Sequence, residues 1–298
     1  MSKISIVINA YNEEKNLPRV IASVKNLADE VIVIDQESID NTAEVARKLK
    51  AKVFNHKKVD YVEPARNFGI SKATSDWILV LDADEEVGPV LSKKIKSVLK
   101  NPIADYFRIP RKNIIFNKWI EHTLWWPDYQ TRLFKKGKVS WSEIIHSVPT
   151  TFGKGADIPA QEDLAIIHHN YDFVESYLEK LNRYTSVQAR FLVKDGYNFQ
   201  WKDLFSKPLK EFVNRYFRGE GYKDGLHGLA LSLLQSFSEL IVYIKVWQED
   251  KFKEEDVKLL DVISEMRSTE KDLHYWQADA SYNETGKLTD RIRRKLKI

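Results

Sequence analysis

The 298-residue chain contains no cysteine. Disulfides, thiolate metal sites and thiol nucleophiles are therefore excluded, and the absence fits a reducing compartment. The chain also lacks a glycine-rich turn after its first apolar segment, where it reads Asn9-Ala10-Tyr11-Asn12-Glu13-Glu14. A dinucleotide site needs G-x-G-x-x-G there so that the backbone can approach a pyrophosphate, and no P-loop is present either. Charge of one sign is scarce too. Lys plus Arg minus Asp plus Glu is 47 − 43 = +4, too little to argue for nucleic acid. The longest charge-free stretch of the apolar segment near the C-terminus, Gly228 to Ser238, is shorter than the ~20 apolar residues of a membrane span. Ile4 to Ile8 is too short for the core of a signal peptide. The expectation is a cytoplasmic protein that can lie on the inner face of the cell membrane. No internal repeat or low-complexity linker stands out.

What is present is a globular composition, 43% hydrophobic and 30% charged. The first hundred residues alternate strand and helix. Apolar strands are expected at Ile4–Ile8, Val31–Ile34, Val53–Phe54 and Trp77–Leu81. Helices are expected at 13–27, 41–49, 66–72 and 90–99, with Asp40 as an N-cap and Pro89 in a first turn. This alternation implies a parallel, doubly wound sheet. Ligands of such sheets bind beyond the carboxyl ends of the strands. Three polar clusters sit there: Asn9 to Glu14, Asp35 to Asp40 and Asp82 to Glu86.

The last cluster, Asp82-Ala83-Asp84-Glu85-Glu86, follows a strand that reads as buried on both faces. Crowded carboxylates repel and raise one another's pKa. A divalent cation relieves the repulsion, because Mg²⁺ and Mn²⁺ prefer hard carboxylate oxygens. The x-spacing of Asp82 and Asp84 puts both on one side of an extended backbone. The plain alternative is a helix start, with Glu85 and Glu86 as N-terminal charges or a following turn.

Three ordered stretches resemble the motifs of family 2 glycosyltransferases of GT-A fold: 6–14, 31–42, and Ala65-Arg66-Asn67-Phe68-Gly69 followed by 77–84. Later signatures at 126–134, Ile167-His168 and 180–185 are similar to those of bacterial lipopolysaccharide-core glucosyltransferases. The resemblance runs over roughly residues 4 to 245. It implies an α/β GT-A fold with a mostly parallel central sheet and a helical C-terminal extension. Residues 1–200 would be the catalytic domain, 1–100 binding nucleotide and 101–200 the acceptor. Residues 201–298 would be the extension. It further implies a metal-dependent, inverting transfer of a hexose from a UDP-type donor to a hydroxyl of a lipid-linked or cell-envelope glycan. Ala10, Tyr11, Glu13, Asp35, Arg66 and Asp82 would contact the donor, while Asp84 and His168 would hold Mn²⁺ or Mg²⁺. Each has a structural alternative: Glu13 a helix-start charge, Asp35 a turn residue, Arg66 a partner of Glu63, His168 a core pair with His169. Two other classes stay open, a sugar-phosphate nucleotidyltransferase and a non-catalytic nucleotide-sugar or glycan-binding protein.

The resemblance departs from the family pattern at Ser147, where the general base is expected as Glu. Glu143 and Asp128 are the candidate bases, with Glu162 or Asp163 behind them. Arg108, Arg111, Lys112, Trp119, Trp125 and Trp126 read as the acceptor side. Phe173 to Val193 reads as a helix whose Lys180 and Arg183 can face the diphosphate. Leu226 to Trp247 is apolar but interrupted by His227, Glu239 and Lys245. With its basic flank it reads as an interfacial amphipathic helix, or as a cap buried on the domain or in a dimer. The basic tail 291–297 can touch anionic lipid.

Overall fold

The structure is a computed structural model that describes residues 2–58, 63–141 and 149–296. The first elements are β1 (Ile4–Ala10), α1 (Leu17–Val24), β2 (Glu30–Asp35), α2 (Thr42–Lys48), β3 (Lys52–Asn55), α3 (Glu63–Lys72) and β4 (Trp77–Asp82). There follow β5 (Glu85–Val87), α4 (Pro89–Lys100), β6 (Tyr106–Ile115), β7 (Lys118–Trp119), β8 (Asp128–Lys135) and β9 (Val139–Ser140). The last strands are β10 (Thr150–Thr151), β11 (Gly155–Asp157) and β12 (Ile166–Tyr171). Helices α5 (Val174–Lys194), α6 (Asp203–Val213), α7 (Leu226–Glu249), α8 (Leu259–Thr285) and α9 (Leu288–Leu296) complete the chain.

The main sheet runs β3-β2-β1-β4-β8-β6-β12-β5. β1 to β4 are mutually parallel, as the strand–helix alternation predicts, whereas β8 runs antiparallel to β4 and β6. β1 is buried along its whole length. Its Ile4, Ile6 and Ile8 join Trp77, Leu79 and Leu81 under α1 and α4. Val7 points the other way, to Ile78, Val80, Phe134, Ala65 of α3 and Ala73 just beyond it. Strands covered on both faces become continuous apolar runs, which is why β1, β2 and β4 were legible. α1 starts later than residue 13, with Pro18 in its first turn. Glu13 and Glu14 are occupied: their N–H groups donate to Thr42 Oγ1 and Asp40 Oδ2.

Glu85 and Glu86 are neither a helix start nor a turn. They form β5, paired antiparallel to β12, with Glu85 and Val87 buried and Glu86 turned outward. The helix begins only at Pro89, after Gly88 in an extended conformation.

The chain packs as two compact units, Met1–Ile114 with Trp126–Asn170, and Ile115–Trp125 with Tyr171–Ile298. This division differs from the expected one near residue 200. α5 belongs to the helical unit because its Ala189 packs with Val242, Tyr243 and Val246 of α7. The short 115–125 segment joins it through Asp224, whose carbonyl accepts from Lys118 Nζ (2.7 Å) and whose Oδ2 accepts from the His122 N–H (2.9 Å). α7 is long and apolar enough, by length and composition, to cross a membrane, with a mean hydropathy of 1.5. It buries Gly228, Leu231, Ser232, Val242, Tyr243 and Val246 inside the unit. Lys245, which interrupts its apolar pattern, donates to the Asn182 carbonyl, Thr185 Oγ1 and Ser186 Oγ of α5 at 2.7–2.8 Å. Desolvation there lowers its pKa.

Candidate active site

The register of β1 brings the three polar clusters together. Ala10 pairs with Asp35 of β2 on one side, and Asn9 pairs with Asp82 of β4 on the other. Two strand spacings therefore separate Asp35 from Asp82, roughly 10 Å. The first two loops lock to each other: the Asn12 N–H donates to Ser38 Oγ and the Ile39 N–H to Asn12 Oδ1, both at 2.9 Å. Asn12 has φ +57°, a left-handed conformation that asparagine tolerates well. Asp35 Oδ1 and both polar side-chain atoms of Asn9 are buried without a hydrogen-bond partner among the described residues. Buried polar atoms are ordinarily satisfied, so such a set at one strand edge fits an incoming donor. Tyr11 lies in the first loop, with Lys58 Nζ 3.7 Å from its ring centroid.

Asp82 is held by two guanidinium groups. Arg66 Nη2 reaches its Oδ1 at 2.8 Å and its Oδ2 at 3.0 Å, and Arg132 Nη2 reaches Oδ2 at 2.7 Å. Burial pushes the Asp82 pKa up, but the charges of Arg132 and Arg66 outweigh it and hold the carboxyl well below its ordinary value. Arg132, 2% exposed, also donates to Glu85 Oε1, whose second oxygen accepts the Asp82 N–H at 3.0 Å. Arg111 Nη1 stands 3.4 Å from the same Glu85 carboxylate. Arg66 thus pairs with Asp82, and its guanidinium lies 5.7 Å from the Trp141 ring centroid. Asn67 brackets that tryptophan's backbone, accepting its N–H (2.9 Å) and donating to its carbonyl (2.6 Å).

β5–β12 pairing sets His168 opposite Glu85 and brings the His169 N–H to the Asp84 carbonyl at 2.9 Å. His168 Nε2 then lies 3.4 Å from Asp84 Oδ2. Its Nδ1 lies 2.6 Å from Asn113 Oδ1. Glu13 stands close enough to feel the charges of this corner. Burial first, then Asp84, Asp82 and Asp40, push its pKa up to about 7 against a hydrogen bond from Asn16.

Metal ions need groups that accept, and this corner fits one. His168 turns Nδ1 to Asn113 Oδ1 and Nε2 to Asp84 Oδ2, so an imidazole nitrogen and a carboxylate oxygen face one point, a donor set that suits Mn²⁺ or Mg²⁺. Metal-bound imidazoles ordinarily donate their other N–H to an acceptor such as Asn113 Oδ1. Among the described residues no cluster of three His, Cys, Asp or Glu forms a complete cage. Mg²⁺ bound by one or two protein groups plus substrate phosphates and water needs none.

The candidate bases fare differently. Glu143 and Ser147 lie outside the described residues. Asp128 is engaged by Arg111 (Nη2 2.6 Å), Gln130 (2.7 Å) and Asn113 (3.3 Å). Burial raises its pKa, but Arg111 and these hydrogen bonds prevail and lower it. A carboxylate so occupied, with its pKa lowered, is a weaker proton acceptor than a free one. Glu162 binds Lys112 at 2.5 Å, and Arg108 is bidentate to Asp157. The basic residues expected to face an acceptor are therefore neutralised within the fold. Trp125 packs with Ile115, Ile120 and Leu231 in the helical unit. Lys180 and Arg183 sit over Tyr171 and Tyr184 in that same unit. Sequence reading left Glu85 with only the charge of a helix start or turn and pointed to no role for Asn113 or Arg132, whose partners come from distant strands.

An acid-lined edge on a mostly parallel sheet of GT-A type, free of glycine-rich turns, fits the class of glycosyltransferases. Residues 5–152 match the family model described as glycosyl transferase family 2. An uncharacterized glycosyltransferase of Rickettsia felis is 30% identical over 266 residues, covering 86% of this chain and 93% of the relative. The chain belongs to glycosyltransferase family 2. Among solved structures, Staphylococcus aureus TarS 1–349 is 13% identical, covering 86% of this chain and 94% of that one, with a TM-score of 0.43. Glucosyl-3-phosphoglycerate synthase from Mycobacterium tuberculosis, in complex with Mn²⁺, UDP and glucosyl-3-phosphoglycerate, is 23% identical. It covers 37% of this chain and 44% of that one, with a TM-score of 0.33.

Proposed function

We propose that this glycosyltransferase is metal-dependent and inverting, moving a hexose from a UDP-linked donor to a hydroxyl of a lipid-linked or cell-envelope glycan. The observation that carries the metal-dependent donor site is the Asp84–His168 pair facing each other at 3.4 Å beside the Asp82 ion-pair network. Asp84 and His168 would hold Mn²⁺ or Mg²⁺, which as a Lewis acid neutralises charge on the leaving diphosphate. Asp35, an acceptor-only carboxylate with a buried open oxygen, receives an N–H of the base. Tyr11 stacks beside the base or ribose, and Ala10 lets it approach the strand end. Asp82, kept ionised by Arg66 and Arg132, accepts a hydroxyl of the ribose or sugar. Glu143 takes the proton from the acceptor hydroxyl, whose oxygen attacks the anomeric carbon opposite the diphosphate. Exposed Leu226, Leu233 and Phe237 on α7 support peripheral contact with a lipid surface.

Donor hydrolysis tests the reading without knowledge of the acceptor. Release of UDP from a panel of UDP-hexoses should require Mn²⁺ or Mg²⁺ and stop on addition of EDTA. Asp84→Ala should lower that rate at least 100-fold, in line with loss of several kcal/mol of charge stabilisation. Full activity of Asp84→Ala, or of EDTA-treated protein, would sink the mechanism.

A further inference from the structure

Asn113 of β6 is wholly buried, contributes no charge and touches no proposed substrate position, yet it bridges Asp128 and His168. We infer that Asn113, anchored by Asp128, is a positioning residue that fixes the ring of His168 with a proton on Nδ1 and so leaves Nε2 as the ligating nitrogen turned to Asp84. The inference rests on the metal reading of Asp84 and His168.

An ionised carboxylate can only accept, so the Asn113 amide nitrogen must be the group that faces Asp128 Oδ2, at 3.3 Å. That orientation leaves Asn113 Oδ1 toward His168 Nδ1, at 2.6 Å. A carbonyl oxygen can only accept, so Nδ1 carries the proton. In the neutral ring Nε2 is then the lone-pair nitrogen, 3.4 Å from Asp84 Oδ2. Asp128 is itself held ionised by Arg111 (2.6 Å) and steadied by Gln130 (2.7 Å). The orientation information therefore starts at a fixed ion pair and passes through one amide to the imidazole. The network also gives Asp128 a role other than general base. With His168 4% exposed, water cannot readily substitute for the amide.

The test reads the ring directly. Long-range ¹H–¹⁵N spectra of metal-free protein report which nitrogen of each histidine is protonated, and His168→Gln assigns the His168 signals among the seven histidines. Wild-type protein should show His168 in the Nδ1–H form, and Asn113→Ala should shift it toward the Nε2–H form. Mn²⁺ affinity in the presence of UDP, measured by electron paramagnetic resonance titration, should fall about 10–100-fold in Asn113→Ala. Asn113→Asp keeps an acceptor for Nδ1–H but sets a second carboxylate against Asp128, so it should restore the tautomer and most of the affinity only when combined with Asp128→Asn, and that rescue separates positioning from general loss of packing. An Nε2–H tautomer in wild-type protein would overturn the inference, as would unchanged tautomer and affinity in Asn113→Ala. Wild-type protein with the expected tautomer but no Mn²⁺ binding would instead overturn the metal reading, and with it the use made of the tautomer.

Discussion

At the scale of single residues, the site is governed by one buried cation. Arg132 Nη2 is shared between Asp82 Oδ2 at 2.7 Å and Glu85 Oε1 at 2.5 Å. Burial alone would lower the pKa of Arg132, yet Asp82 and Glu85 raise it above the ordinary arginine value. Buried ion pairs give little net stability compared with apolar residues, but removing one partner strands the other charge. Arg132→Met should therefore cost about 3–5 kcal/mol in urea unfolding. Adding Glu85→Gln should return part of that loss, because a neutral amide is cheaper to bury than a carboxylate. A loss under ~1 kcal/mol in the single variant would show that Arg66 and Arg111 suffice without Arg132. The acids of the 82–86 cluster thus divide by burial. Asp82 and Glu85 are ion-paired within the fold, and Asp84 faces His168.

At the scale of elements, α3 decides how close the third motif comes to the sheet. A Cβ on Gly69 would lie 2.5 Å from Val7 Cγ1 and 2.9 Å from Ile34 Cγ1, both fully buried. Alanine is the better helix former by about 1 kcal/mol, but overpacking a closed core costs typically 1–3 kcal/mol. Gly69→Ala should lower the unfolding midpoint. Because α3 also carries Arg66 and Asn67, it should weaken UDP binding by calorimetry as well. A raised midpoint with unchanged binding would mean that the helix can retreat freely. The same comparison explains what the sequence disclosed. β1, β2 and β4 carry apolar runs because both faces are covered, and the polar residues at their carboxyl ends stand at one sheet edge by register. β5 gave no such signal. It is three residues long, two of them glutamates, and it exists because β12 and Arg132 supply partners 47 or more residues away. Asn113 was equally silent, since Asp128 and His168 lie 15 and 55 residues along the chain from it. Local pattern carries no trace of such pairings.

At the scale of the whole molecule, carboxylates pull the pH dependence of stability in opposite directions. Burial raises the pKa of Glu30, but bonds from Lys52, Ser5 and Thr74 prevail and bring it to about 2. A depressed folded-state pKa contributes stability above the unfolded value, and that contribution is lost as pH falls through the folded one. Glu30 therefore accounts for about 3 kcal/mol lost between roughly pH 4.5 and 2. Asp82 and Asp128, also lowered, steepen the same limb. Glu13, raised to about 7, has the reverse sign. Its folded state holds a proton that the unfolded chain has released, so its contribution is full below about pH 4.5 and fades as pH rises through 7. The metal-free protein should be most stable near pH 5, losing about 2–3 kcal/mol toward pH 8. Chemical denaturation at pH 3, 5 and 8 measures both limbs. Glu30→Gln should flatten the acid limb and Glu13→Gln the alkaline one. A wild-type protein that grows steadily more stable from pH 5 to 8 would refute the role given to Glu13. Mn²⁺ with UDP should also flatten the alkaline limb, because a cation beside Asp84 favours the ionised form of its neighbour Glu13. Donor binding would then tighten as pH rises from 6 to 8, with proton release from Glu13 measurable by calorimetry in buffers of different ionisation enthalpy.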